Sequence, residues 1–255
     1  MCWTPPIHAD SSGTKVVTGS AAPAAVNRRT CTVGSVGYCS SVPVDWTRLV
    51  APPTTALVVS ECQRDVVGDL ARLPQLAEAA RPAILHIATL AEAAHSAGVQ
   101  VVHAAAYVRR DGKGANSNTR ISAGLRRRAL EAEAAGSDRP DPEDACAVVP
   151  EIGVDPSDIR IVRIHGMSPM ADTGLDSVLR NLRVTTVVVT GVSLNIAVPN
   201  LVMDAVNHGY EVVVPTDAVA GTPPEYGRAM LENTIGYLAY LTTTKELIGR
   251  WAPPA

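Results

Sequence analysis

The feature that most limits what this chain can fold into is an alternation. Six short apolar runs, at residues 56–60, 99–103, 159–163, 186–190, 210–215 and 239–243, are separated by stretches with helical spacing. Runs of this length, dominated by Val, Ile and Leu, suit strands buried on both faces. Between the first two, residues 76–97 put Ile84, Ile87, Ala91 and Ala94 on one helical face; Pro82 starts or kinks the main part, and Gly98 closes it. A charged helix is expected over residues 123–135. Thr173-Gly-Leu-Asp176 fits a capping box, with Thr173 as N-cap, opening a helix to Leu182. Further helices are expected to end at His208-Gly209 and to cover residues 225–238. Strand and helix in turn predict an α/β fold: a single-domain, Rossmann-like three-layer sandwich around a six-stranded parallel sheet.

Residues 1–50 lack this pattern. They are rich in Ser, Thr, Ala, Gly and Pro, and read as a disordered tail. The next Met after Met1 is Met167, so a non-Met start near Val42 to Val44 would make the tail an over-extended gene model. Trp46 and Leu49 are expected to form a short lead-in, residues 51–250 the domain, and residues 251–255 a second tail. A net charge of −3 gives no reason to expect nucleic acid or an anionic membrane as partner. Aromatic residues make up 4% and Phe is absent, which leaves little for base stacking. No apolar stretch approaches the roughly 18 residues of a membrane span. Five cysteines without a C-x-x-C pair argue against a disulfide framework or zinc site and make a reducing cytoplasm the default.

Right-handed crossovers would open all strand ends on one edge of the sheet, where ligands of open α/β folds gather. That edge collects Glu61, His103 to Tyr107, Arg163 to His165, Ser193 to Ala197, and Thr216-Asp217. The turn before Ala197 leads from a strand into a helix start, which offers free N–H donors and a positive dipole end.

Four segments carry a resemblance. Glu61-Cys-Gln-Arg-Asp65, the segment from His165 to Asp176, Thr190-Gly-Val-Ser-Leu-Asn-Ile-Ala-Val with Asp204-Ala205, and Gly209-Tyr-Glu-Val-Val-Val with Asp217-Ala-Val resemble, in order, the motifs of isochorismatase-like cysteine hydrolases. The resemblance implies an Asp, Lys, Cys triad for amide cleavage; those positions fall here on Glu61, Ile164 and Ala197. A thiolate nucleophile and a cation to activate it are both missing from these positions. The isochorismatase branch works without the thiol, by protonating a vinyl ether, and Glu61 is the candidate acid. Burial without a counter-charge favours the protonated carboxyl that such a role requires. The function so implied is hydrolysis of a small, carboxylated metabolite. The alternative is an inactive relative that binds a small ligand or partner subunit, and the structural role open to Glu61 is a hydrogen bond to the N-terminus of the helix after the fourth strand.

Gln63, Tyr107, His165, Ser193 and Asn195 are the candidate ligand-binding residues. Ser193 could act as a nucleophile with His165 or His103 as base, although no Gly-x-Ser-x-Gly elbow surrounds it. Strand alternation would turn Arg163 and His165 away from the face that Ile164 lines, and Cys62 away from Glu61. The basic loop of residues 109–122 reads as solvated or as a lure for anions. His103-Ala-Ala-Ala-Tyr-Val-Arg lacks the Asp-x-His set of metal-binding relatives, so neither a metal nor another cofactor is expected. The resemblance also implies a homo-oligomer, and places a cis peptide at Val192–Ser193.

Overall fold

The computed structural model describes residues 43–252. The parallel strands are β1 (Thr55–Ser60), β2 (Gln100–Ala106), β3 (Ile159–Arg163), β4 (Thr186–Val192), β5 (Glu211–Pro215), β6 (Val219–Ala220) and β7 (Tyr240–Thr242). They lie in the order β3-β2-β1-β4-β5-β7, with the two-residue β6 beside the end of β4. The sheet therefore has the six expected strands and one short addition. The order of the strands reverses between β1 and β4, the parallel central pair, and this makes their carboxyl ends the switch point of the fold. Both strands are buried along their whole length, as their unbroken apolar sequences require.

Helix α3 (Pro74–Ala97) covers one face together with α9 (Thr244–Trp251). It runs through Pro82 and ends on Gly98 in the left-handed conformation, and Ile84, Ile87, Ala91 and Ala94 are all buried. The other face carries α6 (Leu175–Asn181) and α7 (Ala197–Asn207). Two hydrophobic clusters fill the space between sheet and helices. The shortest helices are α1 (Trp46–Leu49), α2 (Arg64–Val67) and α5 (Pro142–Cys146); α4 (Arg120–Ala134) and α8 (Pro224–Asn233) complete the set.

Several boundaries differ from the sequence reading. β2 runs three residues further, so His103 lies inside the strand and not on its open edge. Helix α4 begins at Arg120, because the Thr119 hydroxyl caps it by accepting from Ser122 N. Helix α6 begins after Gly174, which takes a left-handed conformation; Thr173 sits one residue outside, and Asp176 bonds Tyr210 and Arg180 in place of a capping box. Helix α8 stops at Asn233, and a separate 3-10 turn covers Ile235–Tyr237.

The lead-in and the far end belong to the packed body. Leu49 and Val50 are buried, the Arg250 guanidinium lies over the Trp46 ring, and Trp251 Nε1 donates to the Val50 carbonyl. The domain thus begins before residue 51 and includes Trp251. The tail reading over residues 1–42 lies outside the described residues. No described helix is long and apolar enough to cross a membrane.

Candidate functional site at the strand ends

The switch point is built on one close approach. Gly191 has φ +99°, and a Cβ there would collide with the Ser60 backbone of the neighbouring strand. Only glycine lets β4 sit this near β1 in that conformation. Ser60 Oγ then donates to the Val192 carbonyl at 3.1 Å, and the Val192–Ser193 peptide is cis, at the place the resemblance indicates. One residue past β1, Glu61 adopts φ +52°, while its N–H still donates to the Ala104 carbonyl at 2.8 Å.

That left-handed residue breaks the strand alternation, and it brings Glu61 to Arg163. Arg163 Nη2 bonds Glu61 Oε1 in an ion pair whose side chains are 8% and 15% exposed. Arg163 ends β3, two strands away, and reaches across β2, where its register partner is Ala106. Neighbouring strands stand about 4.8 Å apart, so the arginine has roughly 10 Å to cover; Ala104 and Ala106 leave its path open. Two expectations are corrected here. Arg163 does not turn away, and Glu61 is not a buried carboxyl without a counter-charge. Arg163 Nε bonds the Gly166 carbonyl at 3.4 Å, whereas Nη1 is buried and has no partner among the described residues.

Ile164, at the degenerate cation position, is only partly covered. It is 45% exposed and faces Gly114 of the 107–119 loop. The same loop is fastened to the turn after β3 by Asn116, whose Oδ1 accepts from Gly166 N at 3.0 Å. His165 is exposed. Tyr107 is half-buried, and its N–H donates to the Arg163 carbonyl at 2.8 Å. Gln63 is buried with its amide fully engaged: Oε1 accepts from Ala106 N, and Nε2 donates to the Ala106 carbonyl and to Asp65. Asn195 similarly clasps the Thr222 backbone through both amide atoms. Both amides therefore brace loops and have little left for a ligand.

Ala197 is the first residue of α7 and is buried. Ser193 is 9% exposed, and no histidine bonds its hydroxyl among the described residues. His103 is held by Asp158 at 3.0 Å, within the sheet. Cys62 offers no substitute nucleophile, because burial, reinforced by the Glu61 charge, pushes its thiol up to about 12. Among the described residues, no group of three His, Cys, Asp or Glu side chains is placed to hold a metal ion. Two surface cavities of about 410 and 490 Å³ are lined by residues other than Glu61, Arg163 and Ala197.

The isochorismatase domain model matches residues 55–246, which is the whole sheet and its helices up to α9. The chain belongs to the isochorismatase-like hydrolase family. An uncharacterised isochorismatase family protein, YwoC of Bacillus subtilis, is 30% identical over 107 residues, 42% of this chain and 56% of that protein. That alignment spans little more than half of the relative. The structure of an isochorismatase family protein from Burkholderia thailandensis superposes with a TM-score of 0.63 at 24% identity, covering 78% of this chain and 96% of the other. A cysteine hydrolase from Pseudomonas syringae pv. phaseolicola gives 0.60 at 24%, covering 84% and 98%. At these identities the structural likeness concerns the fold of this family member, and its chemistry has to be argued from its own residues.

The residue that sequence reasoning misplaced is Arg163. Its signal was present as an arginine closing a strand opposite an alanine-rich neighbour, but alternation along β3 alone hides a contact made two strands away.

Proposed function

We propose that this family member binds a small carboxylated metabolite at the strand ends and does not use thiol chemistry. The observation that carries the reading is Arg163 Nη1, a guanidinium nitrogen buried without a partner among the described residues, beside a carboxylate that already neutralises the charge. A buried donor left unbonded costs about 1–3 kcal/mol, which a ligand oxygen would restore. Glu61 and Arg163 cancel, so the N-terminus of α7 on the same sheet edge tips the balance toward an anionic group. Ala197, at the position where the resemblance puts a nucleophile, leaves a methyl in its place.

A second reading is supported by Glu61 itself. Its Oε2 has no bond among the described residues, so it is free to exchange a proton with a bound substrate. Hydrolysis would then use the Glu61 carboxylate as a base that takes a proton from an attacking water and passes it to the leaving group, with Arg163 holding the other carboxylate oxygen.

Thermal unfolding with a panel of small carboxylic acids and their amides separates the two. Binding predicts that some acids raise Tm and their amides do not, that Arg163→Lys weakens the effect, and that Glu61→Gln changes it modestly. If product accumulates with the native chain and Glu61→Gln abolishes it, the catalytic reading replaces the binding one. No stabilisation by any acid would count against the site.

A further inference from the structure

Arg163 is tied down at three atoms, and two of these ties lead to the loop of residues 107–119. Its carbonyl accepts from Tyr107 N at 2.8 Å, where that loop begins. On the side chain, Nη2 bonds Glu61 and Nε donates to the Gly166 carbonyl at 3.4 Å. Gly166 has φ +79°, and it turns the chain so that its carbonyl meets the side chain three residues earlier. The Gly166 N–H in turn donates at 3.0 Å to Oδ1 of half-buried Asn116. Asn116 Nδ2 donates to Met167 Sδ at 3.4 Å, which settles which end of the amide meets Gly166.

A guanidinium is a flat, rigid fork. Anchored at Nη2 alone, its plane can swing at the end of a long side chain, and Nη1 swings with it. The second anchor at Nε fixes the plane, and therefore fixes where Nη1 stands. That anchor is a long hydrogen bond, beyond the usual 2.7–3.2 Å for N–H donors, so it depends on the Gly166 carbonyl staying in place. Among the described residues, no backbone–backbone hydrogen bond braces residues 165–167. What steadies the turn from outside is Asn116.

We infer, on the reading that Arg163 Nη1 receives the ligand's carboxylate, that Asn116 is a positioning residue for that guanidinium. It touches neither Glu61 nor Arg163, and it acts through Gly166. A donor already held in its bound place loses less freedom when the ligand arrives, so part of the affinity is set by this loop residue.

Two readouts on the full chain test this. The first needs no ligand: hydrogen exchange of the Arg163 Nε–H by NMR, its signal assigned by loss in Arg163→Lys. Asn116→Ala should speed that exchange about tenfold, while Asn116→Asp, which keeps an acceptor for Gly166 N, should restore slow exchange. The second is the dissociation constant of whichever small carboxylic acid raises Tm of the native chain. Asn116→Ala should raise it about fivefold and leave the urea midpoint of the ligand-free protein unchanged. Native exchange in Asn116→Ala overturns the inference. So does a weaker affinity matched by an equal fall in the ligand-free midpoint, because Asn116 would then only staple the loop. If no acid stabilises the native chain, the binding reading fails by itself, and the exchange rate still decides whether Asn116 holds Arg163.

Discussion

Arg163 and Glu61 show how one residue changes the meaning of a site. Read along the chain, Glu61 is an acid beside an aliphatic residue; in space it is one half of a buried ion pair. Breaking a buried pair leaves an uncompensated charge, which is far costlier than removing both partners. Arg163→Met should therefore destabilise the fold by about 3 kcal/mol, the low end for a broken buried pair, because Glu61 keeps some contact with water. The double variant with Glu61→Gln should recover most of that loss. Urea unfolding of the two variants checks it, and equal losses in both would mean that the pair carries no charge penalty. The acid itself was legible in the sequence. Its partner was not, because φ +52° at Glu61 cannot be read from a period of two.

At the scale of elements, the junction of β1 with β4 decides where the site can form. Gly191→Ala would set a methyl into the Ser60 backbone at a φ that side chains rarely adopt. We expect a loss of more than about 3 kcal/mol, read as insoluble expression or a collapsed unfolding midpoint. A variant as stable as the native chain would show that the strands can part. Most elements were visible beforehand. The buried stripe of α3 and its closing Gly98 appear where the spacing puts them. Misjudged boundaries sit where a backbone or side-chain hydrogen bond decides: Thr119 starts α4 three residues early, and left-handed Gly174 delays α6.

At the scale of the whole molecule, one buried cluster ties three segments together away from the candidate site. Asp158, just before β3, accepts from His95 of α3 at 2.7 Å and from His103 of β2 at 3.0 Å. Burial pushes the His103 imidazole below its ordinary value, with Asp158 opposing and His95 and Arg160 adding to the effect. Burial also works to raise the Asp158 carboxyl, but bonds from both histidines and from Asp155 N hold it below the usual range. The unfolded chain takes up the histidine proton first, so stability falls as pH drops through about 6.5. The Asp158 contribution persists until pH falls below the ordinary carboxylate range. His103→Gln keeps a donor for Asp158 and removes the titration. The urea midpoint of that variant should be flatter between about pH 7 and 5 than that of the native chain. An identical slope would place the acid sensitivity elsewhere.

The amino-acid sequence by itself determined the layers, the parallel sheet and the family. Period and composition decide those through burial, and burial is legible one segment at a time. The tertiary structure alone decided that Arg163 meets Glu61 across an alanine-lined strand, and that Gln63 and Asn195 brace loops. Each of these depends on which atoms arrive from distant strands and loops, and no local pattern in the chain encodes that.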